Sequence, residues 1–276
     1  TSSEPKPLPL ADPYVLCDNG VYYMYGTCSP DGIVVLTSKN LRNWESPDGN
    51  SLHLALSKDD CWGESRFWAP EVYRVAKGRY IMYYTADEHI CAAEGESPAG
   101  PFRQVEKKSM RPEEKGLDNT LFIDDDGRAY VFWSRFIDGL QIWMAELEDD
   151  LVTIRPGTER FCSKMSQEWE TVWPSVNEGA FVIKHRGKYY LTYSANCYES
   201  PNYGIGVAVA DDITGPWVKY EGNPVLQFPG DLVGVGHHTF FTDRKGRHRI
   251  AYHCHHSKDS IHPRIIQLSS YRFRRV

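Results

Sequence analysis

The chain has 276 residues, 41% of them hydrophobic and 25% charged, and a net charge of −6 from 31 Lys and Arg against 37 Asp and Glu. That is an ordinary globular composition, long enough for one large domain or two small ones with a substantial core. No basic stripe could track a phosphate backbone, and no apolar run approaches the ~20 residues of a membrane helix, so neither a nucleic-acid partner nor a membrane-spanning helix is expected.

In chain order, residues 1–8 contain no apolar leader segment and read as an exposed N-terminal linker. One unit then recurs. Asp12 leads a short apolar run at 15–17, a turn at Gly20 and an aromatic run at 21–25. Aromatic and β-branched runs on either side of a glycine turn predict a β-hairpin. A second strand pair is predicted at 33–38 and 41–44, followed by a long loop from Asp48 to Arg66 that could close a pocket. Glu71 leads the next hairpin (72–75, Gly78, 80–84), with its second pair at 90–93 and 97–102. Asp118 leads the third (121–123, Gly127, 129–133), with 140–145 and 150–152. Glu178 leads the fourth (181–183, Gly187, 189–193), with 204–210 and 212–217. His237 leads the fifth (239–241, Gly246, 248–252), with 264–268 and 271–273.

The five turn glycines are 58, 49, 60 and 59 residues apart. Nothing between them has sustained helical periodicity. Five four-stranded repeats predict an all-β fold, a five-bladed β-propeller with its blades around a central channel. Single blades cannot bury both faces, so they stack, and one domain is expected from residue 9 to 276. The first strand of a blade lies nearest the axis. Asp12, Glu71, Asp118, Glu178 and His237 are therefore expected in one ring at one mouth of the channel. Carboxylates packed together raise one another's pKa, so such a ring points to function.

Two carboxylates facing across a pocket suit glycosidic bond cleavage, one as a protonated acid and the other as an ionised base. A third can raise and orient the acid. Acids on non-adjacent blades, such as Asp12 and Glu178, are expected roughly 6.5–9.5 Å apart, the inverting spacing.

Five blocks carry a resemblance: Ala11-Asp12-Pro13-Tyr14, Phe67-Trp68-Ala69-Pro70-Glu71-Val72, Leu117-Asp118-Asn119-Thr120-Leu121-Phe122, Asn177-Glu178-Gly179 and Gly234-Val235-Gly236-His237-His238. Together, and in this order, they resemble the signature blocks of glycoside hydrolase family 43 over nearly the whole chain. The resemblance implies a five-bladed propeller and inverting hydrolysis of arabinose- or xylose-containing glycans. It implies Asp12 as general base, Glu178 as general acid and Asp118 as the carboxylate that tunes and orients the acid. It places His237 near the axis, where many members hold a calcium ion through water, and Arg264 against the sugar and the base. Ala180 and Asn119 stand where the family usually has proline.

Substrate contacts are expected from Trp68, Glu71, Trp173, His237 and Arg264, with Trp169 read as packing between blades. In Tyr252-His253-Cys254-His255-His256, alternation along a strand splits the candidate ligands between two faces, so these read as core or rim histidines rather than a metal site. Asp124-Asp125-Asp126-Gly127 reads as a hairpin turn, because the later Glu of a calcium loop is missing. The seven cysteines share no C-x-x-C spacing and read as scattered buried thiols. No cofactor is expected to be required, a structural calcium being the one ion the resemblance raises. The expected partner is an oligo- or polysaccharide, met by a monomer that is secreted, periplasmic or at the cell surface. The leading reading is an α-L-arabinofuranosidase. Behind it stand β-xylosidase, endo-arabinanase and β-galactosidase, a retaining fructan-cleaving propeller, and a non-catalytic carbohydrate-binding propeller.

Overall fold

The computed structural model describes residues 7–49 and 52–273. Residues 1–6 of the expected linker, and residues 50 and 51 of the expected pocket loop, lie outside the described residues. The strands form five antiparallel sheets in sequence order. Blade 1 holds β1 (Ala11–Asp18), β2 (Val21–Ser29), β3 (Gly32–Ser38) and β4 (Leu54–Ser57). Blade 2 holds β5 (Trp68–Ala76), β6 (Arg79–Ala86) and β7 (His89–Gly95). Blade 3 holds β8 (Gly116–Ile123), β9 (Ala129–Phe136), β10 (Leu140–Glu146) and β11 (Arg160–Ser163). Blade 4 holds β12 (Asn177–His185), β13 (Lys188–Ala195), β14 (Gly204–Ala210) and β15 (Val218–Lys219). Blade 5 holds β16 (Gly236–Thr242), β17 (His248–Cys254) and β18 (Ile265–Ser270). The fold is the five-bladed β-propeller that the repeats predict.

The outer strands differ from the expectation. The fourth strand of blade 1 lies at 54–57 rather than 41–44, inside the segment read as a loop, and that of blade 3 lies at 160–163 rather than 150–152. In blade 2 the fourth strand shrinks to one bridge, Glu94 to Arg103. In blade 5 residues 271–273 form no strand, so that blade has three among the described residues. Outer strands have one edge in water and a weak apolar pattern, so their sequence signal is faint.

The first strands line the axis: β1 touches β5 and β16, β5 touches β8, β8 touches β12, and β12 touches β16. Each carries a bulge near its start, where the pairing slips by extra residues: between Ala11 and Tyr14, Trp68 and Glu71, Leu117 and Thr120, Glu178 and Phe181, and Gly236 and Thr239. The first bulged residue has positive φ every time: Asp12 52°, Ala69 47°, Asp118 59°, Gly179 61° and His237 48°. Bulges re-aim a side chain at a functional rim.

A hydrogen bond to the preceding blade holds each bulge. The Ala69 N–H donates to Thr27 Oγ1 (2.9 Å), that of Asp118 to Thr85 Oγ1 (3.0 Å), and that of His237 to Ser194 Oγ (2.8 Å). The Asp12 N–H donates to His253 Nδ1 (3.1 Å). These acceptors, with Ser134 of blade 3, each stand seven residues after a turn glycine. Blade 4 breaks the pattern: Ser134 donates to the Asn177 carbonyl, and the Gly179 N–H turns instead to Asp118 Oδ2 (3.1 Å).

Blades 1 and 5 close the ring. Leu10, Val15, Met24, Phe241 and Ala251 pack at their seam, with Leu8 against them. The Leu8 carbonyl accepts from Ile266 N–H (3.3 Å), so the last residue of the expected linker is docked.

Candidate active site

The bulges deliver three carboxylates to one end of the axis. Asp12, on blade 1, is buried. Its Oδ2 accepts from the Thr27 hydroxyl (2.7 Å), while Oδ1 lies 3.2 Å from His237 Nδ1 and 3.6 Å from Arg264 Nη1. Burial opposes its charge, but His237, Arg264 and His253 outweigh burial and hold the carboxyl well below the usual range. Asp118, on blade 3, goes the other way. Burial pushes it well above its usual range, with the negative charges of Glu178 and Asp12 adding to the rise and the Gly179 N–H opposing it. Glu178, on blade 4, is pushed up to about 7 by burial, with Asp12 adding and the Tyr203 hydroxyl and Arg264 opposing. That hydroxyl donates to Glu178 Oε1 at 2.8 Å. Asp118 and Glu178 thus hold a proton under conditions where Asp12 is ionised.

His237 and Arg264 both lie against Asp12. The Arg264 guanidinium also lies over the Tyr198 ring, 4.5 Å from its centroid. Trp68 is half-buried and lines a cleft of about 720 Å³ beside Asp12, together with Leu10, Thr27, Arg66 and Arg264. Trp173 is 45% exposed in the loop before β12, where its backbone N–H donates to Asn196 Oδ1 (3.0 Å). Trp169 packs on Tyr193, ring centroids 6.2 Å apart.

Glu71 is not in the ring. The residue of blade 2 equivalent to Asp12 is Ala69, and Glu71 sits two positions further along β5, below the mouth. There Oε1 accepts from the hydroxyls of Tyr73 (2.5 Å) and Thr120 (2.7 Å). Burial pushes its carboxyl up to about 8, against those two hydrogen bonds. It is a buried acid between blades 2 and 3 rather than a rim contact.

Sequence reading missed two neighbours. His253, taken as a core or rim histidine, touches Asp12 through the amide bond above. Tyr203, which bonds Glu178, carried no signal, because it lies in the irregular 196–203 connection. The other histidine of that face, His255, meets the Tyr198 carbonyl through Nε2 (2.7 Å). None of the seven cysteines is in a disulfide, and four are buried while Cys28 is exposed. Calcium finds no direct cage: among the described residues no group of three or more His, Cys, Asp or Glu side chains is arranged to hold a metal ion, and His237 Nδ1 faces Asp12.

A propeller that sets an ionised carboxylate on one blade and a proton-holding carboxyl pair on two others at the same mouth has the framework of a glycoside hydrolase. Similarity to known proteins narrows that class. The chain belongs to glycosyl hydrolases family 43, whose model matches residues 6–267. It is similar to an endo-1,4-β-xylanase from Bacteroides thetaiotaomicron VPI-5482, with 42% identity and a TM-score of 0.90 over 95% of this chain and 90% of that one. A thermostable family-43 glycoside hydrolase is 36% identical, with a TM-score of 0.85 over 96% of this chain and 90% of that one. An extracellular exo-α-(1→5)-L-arabinofuranosidase from Streptomyces chartreusis is 27% identical, over 91% of this chain and 81% of its own length.

Proposed function

We propose that this chain is an inverting glycosidase that removes arabinofuranosyl units from plant-cell-wall glycans. The observation that carries the reading is the contrast in partners at one mouth: Asp12 faces His237 and Arg264, which favour its ionised form, while Glu178 is buried beside the Tyr203 hydroxyl and pushed up to about 7. Asp12, ionised, takes a proton from a water as that water's oxygen bonds to the anomeric carbon. The glycosidic C–O bond breaks with its electron pair going to the leaving oxygen, which takes the Glu178 proton. Asp118 accepts the Gly179 amide hydrogen and so fixes the strand beside the acid. Arg264 and His237 keep the base ionised and border the sugar.

The arabinofuranosyl preference draws support from the Streptomyces chartreusis relative, whose extracellular location also supports a secreted or surface-bound role here. A second reading, on xylose-based chains, draws support from the 42% identical relative described as an endo-1,4-β-xylanase. The test is NMR of the anomeric proton while p-nitrophenyl arabinofuranoside and p-nitrophenyl xyloside are hydrolysed, with Glu178→Ala as control. Inverted arabinose, released by the wild type and lost in the variant, is expected. Inverted xylose alone would move the substrate to the second reading, and retention would overturn the mechanism.

A further inference from the structure

We propose that His253, with the Tyr203 ring stacked on it, is a positioning residue that sets the placement of Asp12 relative to Glu178. The inference rests on the reading of those two carboxyls as base and acid. It begins in the internal repeat. The position seven residues after the turn glycine holds Thr27, Thr85, Ser134 and Ser194 in blades 1 to 4, and His253 in blade 5. A hydroxyl is enough to accept the bulge amide where Thr27, Thr85 and Ser194 do so. An imidazole is therefore not needed for the clamp. What it adds is bulk and a flat face.

That face is used. The His253 ring lies 5.8 Å from the Tyr203 ring at an interplanar angle of 10°. On one side His253 Nδ1 accepts the Asp12 amide hydrogen and lies 3.3 Å from Asp12 Oδ1. On the other side the Tyr203 hydroxyl donates to Glu178 Oε1. The stack thus forms a continuous rigid path from the base of blade 1 to the acid of blade 4. Both rings are fully buried. Room for Tyr203 depends on Gly236, where an added Cβ would come within 2.2 Å of the ring. Since Nδ1 accepts from an N–H, the imidazole is neutral and protonated on Nε2. Burial holds its pKa down at about 4, in keeping with that form. His253 therefore acts by shape and by one accepted hydrogen bond.

The experiment replaces His253 by the residue the other blades use. His253→Thr keeps a hydroxyl for the Asp12 amide and removes the wedge. Its kcat and KM are measured on arabinofuranosides and xylosides of p-nitrophenol and of the less acidic phenol, beside its melting temperature. A misplaced base lowers kcat about 100-fold on both leaving groups, with KM little changed. Tyr203→Phe keeps the stack but loses the bond to the acid, so its loss is confined to the poorer leaving group. A folded His253→Thr with wild-type kcat overturns the proposal, as does a loss seen only in KM. If His253→Thr fails to fold, His253→Asn, which offers an amide oxygen to the same N–H, takes its place under the same criteria. A wild type inert on all four substrates would instead overturn the reading of Asp12 and Glu178 themselves.

Discussion

At the scale of single residues, the same fold pushes three carboxyls in different directions, and each direction has a measurable sign. Asp12, held low, stays ionised through the neutral range, while Glu178 must keep its proton. Activity should therefore hold at mildly acidic pH and fall as pH rises through about 7, where Glu178 loses its proton. Asp12→Ala and Glu178→Ala should each cut kcat by about 100- to 10,000-fold with the fold intact. Two quieter substitutions should act differently on the basic limb of kcat/KM. Asp118 holds its proton beside Glu178, so Asp118→Asn exchanges one uncharged group for another and should leave the limb near its wild-type pH. Tyr203→Phe removes a hydrogen bond that favours the ionised form of Glu178, so the limb moves to higher pH. A limb that stays in place in Tyr203→Phe would separate it from Glu178. Glu71 offers a stability test. Its folded pKa is raised from an ordinary 4.5 to about 8. The native state thus holds a proton the unfolded chain releases, and the associated stability is present below pH 4.5 and lost as pH climbs through 8. Gln keeps the acceptor for Tyr73 and Thr120 and does not titrate. The melting temperature of Glu71→Gln should gain on the wild type between pH 5 and pH 8, by about 2–4 °C per kcal/mol relieved. A constant difference across that range would place the proton elsewhere.

At the scale of elements, the bulge decides what each first strand presents. Hairpins, turn glycines and blade number were legible in the sequence because aromatic runs and glycine turns recur at near-fixed spacing. The bulges were not, because extra residues in a strand leave its apolar pattern almost unchanged. The cue was present in one place: Glu71 stands seven residues before its glycine, whereas Asp118 and His237 stand nine before theirs. Counting nine back from Gly78 reaches Ala69, the true bulge residue. Asp12, Asp118 and Glu178 survived this ambiguity because two lie on the bulge and the third precedes it. The bulge also yields a contrast between two glycines. Gly179 has φ 61°, but Ala69 adopts 47° at the equivalent position, and an added Cβ at 179 would meet His237 at an ordinary 3.5 Å. Gly179→Ala should therefore cost only about 1 kcal/mol. Gly236 has no positive φ, yet its Cβ would collide with Tyr203. Gly236→Ala should cost about 1–3 kcal/mol through overpacking and lower kcat by displacing the ring from Glu178. Chemical denaturation of the two variants, read beside kcat, checks the order; a more damaging change at Gly179 would reverse the argument.

At the scale of the whole molecule, the mouth that holds Asp12 spans the joint where the ring closes, and that follows from chain order. Asp12 sits at the start of the first blade, and the imidazoles and guanidinium nearest its carboxylate, those of His237, His253 and Arg264, come from the last. Sequence spacing could assign each residue to a blade. It could not show that the His253 side chain crosses the joint, because side-chain reach across an interface leaves no periodic mark. Asp12 therefore depends on the blade 1–blade 5 seam, while Glu178 depends on the interior of blade 4. Two buried leucines separate these dependencies. Leu10 is 3% exposed, packs in the seam and lines the cleft two residues before Asp12. Leu191 is fully buried in the blade 3–blade 4 core on β13, away from the seam. Truncating either to alanine leaves a cavity and should cost about 2–5 kcal/mol in urea unfolding. Their effects on catalysis should differ. Measured well below both melting temperatures, Leu191→Ala should keep kcat within about twofold, because Asp118, Glu178 and the bulges keep their partners. Leu10→Ala loosens the strand that carries the base and should lose about tenfold or more in kcat, the scale at which small misplacements of a reacting group are felt. Equal kcat values for the two variants, at equal loss of stability, would mean that the seam closes the propeller without holding the base in place.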